Sequence, residues 1–360
     1  MVNAPPPAGS SDSESQTSDL QLHPSAPRPQ RLLVCSVNWL GDAILSMPAL
    51  QALRWENPAA DLTVLTKPGL APLWSMHAAP TRVLTLPAAG ARLKPLLQTL
   101  RDLDLDAAYI LPHSFRSALA PFLARIPRRI GLPGHFPRDF MLTEVRRPAL
   151  GPGRTHQVFE YLDLFFPGEN RRTFLPPRLN LHPTILEQMH TRLDPLPQPW
   201  IAFLPGAARG SSKQWPVEDY ALAAAELMAQ TGGSIITLGT RAELPTCQQV
   251  AAAAAPNGLN LAGETSLEEL AAILSLCSAV LCNDSGGMHL AAALGTPLVA
   301  LFGITNPAQT GPLGKQVRIL QHAEHRTRDV PRRSAKAEKA LRAITVPEAV
   351  QAILALLHKT

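Results

Sequence analysis

The sequence predicts an α/β chain made of two doubly wound domains that face one another across a cleft. Three observations predict it. Short β-branched or leucine-rich runs alternate with helical stretches, the pattern of a parallel sheet covered on both faces. The alternation occurs in two arrays, with the proline-crowded stretch Phe166 to Pro199 between them. The chain has 360 residues, which at about 150 residues per domain gives two domains. Hydrophobic residues make up 46% and charged residues only 17%, enough apolar material for large cores, so a wholly disordered or fibrous chain is excluded. The 36 prolines are one residue in ten, many at turns between apolar runs, and they argue against long uninterrupted helices.

Residues 1–30 are rich in Pro, Ser, Gln and Ala and nearly free of large apolar side chains. Such a composition cannot offset the entropy of ordering, and the segment reads as a disordered tail. The first domain, 31–180, follows with a strand at Leu32–Val37 and a helix at Ala43–Trp55, then a strand at Leu62–Thr66. A strand at Val83–Leu86 leads to a helix at Leu93–Leu100, and a strand at Ala107–Leu111 to a helix at Ser117–Arg125. Residues 181–199 read as a linker with one helix at Thr184–Leu193. The second domain, 200–345, places strands at Trp200–Leu204, Ser234–Leu238, Ala279–Cys282 and Leu298–Phe302. Its helices fall at Val217–Gln230, Pro245–Ala255, Leu267–Leu276 and Met288–Leu294, and a terminal helix occupies 346–360.

No run approaches the roughly 18 apolar residues of a membrane span. The best, Leu290–Leu301, is cut by Gly295 and Pro297. The start lacks a charged segment followed by an apolar one, so the chain reads as cytoplasmic. Cys35, Cys247, Cys277 and Cys282 lie in apolar or small-residue surroundings without metal spacing and read as buried free thiols. The formal net charge is +5, but its distribution says more. Seven arginines between Arg125 and Arg154 meet only Asp139 and Glu144, and eight Lys/Arg between Arg318 and Arg342 meet three acids. Each cluster is either solvated surface or a site for a polyanion or anionic membrane. Nucleic acid is disfavoured, since neither cluster has interleaved aromatics or a binding motif.

In doubly wound sheets ligands bind beyond the carboxyl ends of the strands, so the loops there are where chemistry is sought. The first such loop is Asn38-Trp39-Leu40-Gly41-Asp42. Asp42 at a helix start could simply cap free N–H groups. A carboxylate at a cleft mouth could equally act as a general base. The second loop, Leu204 to Pro216, carries Gly206, Arg209, Gly210, Ser211, Ser212 and Lys213: small residues, hydroxyls and cations suited to an anion. It lacks the spacing of an ATP-hydrolysing phosphate loop, and no GxGxxG occurs. The third loop is Asn283-Asp284-Ser285-Gly286-Gly287-Met288-His289. Backbone amides at Ser285, Gly286 and Gly287 on a helix N-terminus form an anion site, although a purely structural cap has the same sequence. His289 on the first turn either faces the cleft or packs.

Together the three loops resemble glycosyltransferase family 9, the ADP-heptose:lipopolysaccharide heptosyltransferases, especially the heptosyltransferase II branch. The resemblance spans about residues 31 to 357 and rests on NWLGDAILSMPALQALR at Asn38–Arg54, LPHSFRSALAPFLARIPRRIG at Leu111–Gly131, LPGAARGSSKQWP at Leu204–Pro216, LGTRAE at Leu238–Glu243 and NDSGGMHLAAALGTPLVALFG at Asn283–Gly303. It implies a GT-B fold of two Rossmann-like domains and an inverting transfer with neither metal nor cofactor.

On this resemblance Asp42 is the catalytic base and Lys213 the cation beside the departing ADP. Gly206, Arg209, Ser212, Glu243, Asp284, Ser285, Gly286, Gly287 and His289 are on the donor side, and Asn38, Ser114, Arg116 and Arg128 on the acceptor side. The implied partners are ADP-heptose, a Kdo-lipid A core acceptor already bearing heptose, and the inner face of the inner membrane through peripheral contact, with a monomer as the default. The stretch His322–Ala340 has no cysteine where heptosyltransferase II members often have several, which leaves the step of core assembly open. Two other readings stand beside this one: a GT-B enzyme using another nucleotide sugar or acceptor, and a non-catalytic nucleotide-sugar-binding protein.

Overall fold

The computed structural model describes residues 30–88, 90–149, 155–169, 171–208, 210–323 and 326–358. The expected tail therefore lies outside the described residues, apart from Gln30. Two sheets are present. The first contains β1 (Arg31–Cys35), β2 (Asp61–Thr66), β3 (Arg82–Thr85), β4 (Ala107–Ile110), β5 (Arg128–Gly131) and β6 (Glu144–Val145), in the order β3-β2-β1-β4-β5-β6. The second contains β7 (Trp200–Leu204), β8 (Ser234–Thr237), β9 (Gly258–Asn260), β10 (Ala279–Asn283), β11 (Leu298–Leu301) and β12 (Val317–Leu320), in the order β12-β11-β10-β7-β8-β9. Every pairing is parallel, and both sheets have the strand order of a dinucleotide-binding fold, with direction reversing between β1 and β4 and between β7 and β10. Central strands covered on both faces read as continuous apolar runs, and all of β7 and β10 is buried.

Helices of the first half are α1 (Leu40–Glu56), α2 (Ala71–Ser75), α3 (Lys94–Asp102), α4 (Phe115–Leu123) and α5 (Gln157–Phe165). Those that follow are α6 (Pro183–Leu193), α7 (Val217–Thr231), α8 (Leu244–Ala253), α9 (Leu267–Leu276), α10 (Gly286–Leu294), α11 (Pro307–Thr310), α12 (Ala335–Arg342) and α13 (Val346–Leu357).

The expectation of short helices fails at α1, which runs 17 residues through Pro48. Pro48 forfeits one backbone bond, but its helix is buried from Ala43 to Leu50 against α5 and α10, and tertiary packing of that kind outweighs local propensity. The stretch read as a linker contains α6, whose Met189 and Leu193 are buried against α9, so this helix is a layer of the second half. The terminal α13 likewise seats Val350 and Ile353 in the second core beside α7. One apolar cluster is continuous from α1 across the seam to α10, binding the two halves together. All four cysteines are buried and free; burial pushes the Cys35, Cys247 and Cys277 thiols up to about 12, so they remain inert. Among the described residues no single helix is long and apolar enough to cross a membrane.

Candidate active site

The carboxyl ends of both sheets face a cavity of about 420 Å³ at the seam. From the first half it is lined by Asn38, Trp39, Gly41 and Asp42 after β1, by Pro112 and His113 after β4, and by Gln157, Glu160 and Tyr161 on α5. From the second come Lys213, Asp284, Ser285, Gly286 and His289, with Thr310, Arg328 and Asp329 at the rim.

Asp42 sits in the first turn of α1, where the helix dipole favours a carboxylate. Its Oδ1 accepts a hydrogen bond from Gln157 Nε2 at 3.3 Å, and the same amide donates to the Tyr161 hydroxyl at 2.9 Å. Burial, reinforced by the nearby Asp42 charge, raises the Tyr161 phenol well above its ordinary range, so it stays protonated.

Opposite, Lys213 closes the turn Ser211–Lys213. Gly210 begins that turn at φ 85°, a conformation reserved for glycine, and a Cβ there would stand 2.7 Å from the Arg332 carbonyl oxygen. Lys213 Nζ lies 2.6 Å from Asp284 Oδ2, and Thr305 Oγ1 donates to that oxygen at 2.7 Å. The loop is anchored by Asn283, whose amide donates to the Pro205 and Gly206 carbonyls while its Oδ1 accepts from Trp215 N–H. Asn283 thus ties both ends of the Lys213 loop to β10.

Ser285 stands extended before α10, so the free N–H groups of that helix open toward the cavity. His289, one turn in, is buried against Gly41; desolvation lowers it to about 4 despite the Asp284 charge, leaving a neutral imidazole.

The cavity therefore gathers Asn38, Asp42, Lys213, Asp284, Ser285, Gly286 and His289. Other expected residues sit elsewhere. Gly287 packs on Leu204, since a Cβ there would come within 2.4 Å of the leucine. Gly206 abuts Glu243, whose carboxylate accepts from the Thr240 N–H and hydroxyl in a capping box, and neither residue lines the cavity. Ser212 is buried with its hydroxyl unpartnered. Arg209 lies outside the described residues. Ser114 and Arg116 are exposed just beyond His113, on the cavity side of the sheet.

Arg128 is a correction. It opens β5 opposite Ala107, at the amino end of the strands, and pairs with Glu144 away from the cavity. The first arginine cluster is also largely structural. Arg129 donates to the Met141 and Ile126 carbonyls and Arg146 to those of Leu164 and Phe165, while the fully buried Arg138 donates to those of Pro112, Leu132 and Ile110. Such bonds satisfy carbonyls in irregular backbone.

The sequence model of Glycosyltransferase family 9 (heptosyltransferase) matches residues 93–340. This chain belongs to glycosyltransferase family 9. Lipopolysaccharide heptosyltransferase 2 of Escherichia coli (strain K12) is 32% identical over 309 residues, covering 81% of this chain and 88% of that protein. Lipopolysaccharide heptosyltransferase 1 of Pseudomonas aeruginosa is 30% identical over 313 residues, covering 79% and 82%. The solved structure of E. coli ADP-heptose lps heptosyltransferase II superposes with a TM-score of 0.80 at 28% identity, over 92% of this chain and 99% of that one. The two parallel sheets are thus the GT-B fold of a family 9 glycosyltransferase.

In this family 9 chain sequence reading missed the residues that join the halves. Arg328 Nη1 and Nη2 lie 2.5 and 2.9 Å from the two carboxylate oxygens of Glu160, and that hydrogen bonding raises the Arg328 pKa. His156, just before α5, donates from Nε2 to the Gly311 carbonyl at 3.0 Å. Glu160 and Arg328 are 168 residues apart, and neither lies in a glycine loop. The eight-fold basic cluster that contains Arg328 was the only signal near it. Among the described residues no three His, Cys, Asp or Glu side chains are grouped to hold a metal ion.

Proposed function

We propose that this family 9 enzyme transfers heptose from ADP-heptose onto a heptose of the Kdo-lipid A inner core, with inversion and with no step assigned to a metal or cofactor. The observation that supports it is the opposition, in one cavity, of the Asp42 carboxylate on the first half to Lys213 and the α10 N-terminus on the second. The acceptor hydroxyl oxygen attacks the anomeric carbon and gives its proton to Asp42. The bond from that carbon to the ADP β-phosphate oxygen breaks with its electron pair, and ADP leaves. Lys213 and the open N–H groups of α10 stabilise the charge that develops on the phosphate. Asp284 and Thr305 hold Lys213 in place, so the cation needs little reorganisation during the reaction.

On the donor side, Glu243 and Gly206 flank the nucleotide, with Arg209, Ser212 and Gly287 as further contacts of that half. On the acceptor side, Asn38, Ser114 and Arg116 meet the phosphorylated core. The second heptose is favoured over the first because several relatives at 31–32% identity are named heptosyltransferase 2. The enzyme works as a cytoplasmic monomer in peripheral contact with the inner membrane, since its acceptor is a lipid.

The test is ADP release from ADP-heptose, with and without heptosyl-Kdo-lipid A, for the wild type and Asp42→Asn. Acceptor-dependent release that disappears in the variant supports the reading. A preference for UDP-sugars points to another nucleotide sugar. Tight ADP binding with no release on a panel of core acceptors points to a non-catalytic binding protein.

A further inference from the structure

The largest exposed phenyl rings of the first half collect at one end of its sheet. Phe136 is 88% exposed, Phe140 76% and Phe115 44%. Phe136 and Phe140 lie in the loop after β5, and Phe115 begins α4, which packs against the turn 139–141. Exposed apolar side chains scattered singly need no explanation, but three aromatic rings on adjoining loops do.

The backbone beneath these rings is held firmly. Arg138, only 1% exposed, donates to the carbonyls of Ile110, Pro112 and Leu132 and pairs with Asp139. The Asp139 carboxylate in turn accepts from Gly134 N–H. Gly131 and Gly134 lie so close to the Arg138 guanidinium that a Cβ on either would come within 2.9 Å of it. The loop is therefore braced from inside while its apolar tip points out.

Charge and position identify what the tip meets. Arg116 is exposed beside Phe115, and Arg147 is exposed where the chain leaves β6 at the same sheet end. The acids between them, Asp139 and Glu144, are already paired with Arg138 and with Arg146 and Arg128. Aromatic rings flanked by arginine suit an anionic lipid interface, where rings enter the headgroup boundary and cations meet phosphate. The loop also adjoins the cavity: Leu132 and His113 line it, and His113 Nδ1 donates to the Pro133 carbonyl at 2.9 Å.

We infer that Phe115, Phe136 and Phe140, with Arg116 and Arg147, form the surface that docks the enzyme on an anionic lipid bilayer and sets the cavity mouth against its lipid-borne acceptor. This rests on the proposed use of a lipid-linked acceptor, and the experiment separates the two.

The experiment compares the full-length wild type, Phe136→Ser/Phe140→Ser and, as a control, Trp55→Ser. Trp55 is 84% exposed but sits at the far end of α1 from the cavity. Cosedimentation is measured with vesicles of equal phosphatidylglycerol and phosphatidylcholine, and with phosphatidylcholine alone. ADP release is measured on acceptor embedded in the mixed vesicles and on a deacylated, water-soluble acceptor. Two fewer rings should lower partition to the mixed vesicles by about tenfold or more. Release on the embedded acceptor should fall in parallel, release on the soluble acceptor should be unchanged, and Trp55→Ser should match the wild type throughout. Unchanged partition of the double variant, or equal wild-type binding to phosphatidylcholine alone, would overturn the inference. So would a dimer in solution that the double variant dissolves without any vesicle binding, which would make a second copy the occupant. Loop-dependent vesicle binding by a wild type inactive on both the embedded and the soluble acceptor would uphold the surface while refuting the proposed reaction.

Discussion

Arg328 of the second half clasps Glu160 of the first through Nη1 and Nη2 of its guanidinium, at 2.5 and 2.9 Å, with the glutamate only 7% exposed. One turn earlier on the same helix, Gln157 reaches Asp42. Helix α5 thus links the contact between the halves to the carboxylate proposed as base.

Breaking the clasp should therefore affect both folding and turnover. Glu160→Gln leaves Arg328 without its counter-charge and is expected to cost about 1–3 kcal/mol, less than for a fully buried pair because Arg328 is partly solvated. Denaturant unfolding measures that loss. A double-mutant cycle with Arg328→Gln should show coupling in kcat/KM as well as in stability, and strict additivity would rule out the link.

Asp42→Asn should lower kcat by about 10²–10⁴-fold if the residue takes the acceptor proton. ADP affinity, measured by calorimetry, should change little, because the proposed phosphate contacts lie on the other half.

Lys213→Gln removes the cation but leaves the buried Asp284 carboxylate in place, still accepting from the Thr305 hydroxyl. We expect kcat to fall about 10²–10³-fold, with weaker ADP binding. Replacing Asp284 by Asn in the same background should recover part of the lost thermal stability without restoring turnover.

Gly41→Ala tests the seam. A Cβ there would come within 2.7 Å of His289 Cδ2, as one on Gly286 would come within 2.9 Å of Leu40 Cβ. Overpacking of this kind costs about 1–3 kcal/mol. The variant should melt earlier and, by displacing α1, lose more activity than stability.

Stability should also depend on acid. Burial lowers both His77 and His289 to about 4, below the ordinary histidine value of about 6.5. Between these values the unfolded chain binds more protons than the folded one, so stability is complete above about pH 6.5 and declines as pH falls toward 4. Each histidine contributes up to about 3 kcal/mol to that decline. Tm measured from pH 7.5 to 4.5 should fall along this window, and His77→Gln should flatten the slope.

Much of the fold could be read from local pattern. β7, α9 and β11 fall within a residue of their expected bounds, because continuous apolar runs and capped helices announce themselves over a few residues. The short strands β5, β6, β9 and β12 and the helix α5 were not anticipated. These strands read RRIG, EV, GLN and VRIL and so lack the continuous apolar run that marks β11, and α5 buries Glu160 and Asp163, so its polar residues do not mark a solvent face. Within the site, the glycine loops announced Asp42, Lys213 and the Asp284 turn, whereas Gln157, Glu160 and Arg328 had no signature.

Two parallel sheets, the loops at their carboxyl ends, the buried thiols and the resemblance to family 9 could all be read from the chain, because each depends on residues close together in it. Which charges were available emerged only on packing. Net charge along a sequence does not reveal that Arg138 is enclosed among carbonyls, that Arg128 lies at the wrong end of its strand, or that Arg328 reaches 168 residues back to Glu160. Those outcomes depend on burial and on long-range partners, which exist only once both halves have packed along α1 and α10.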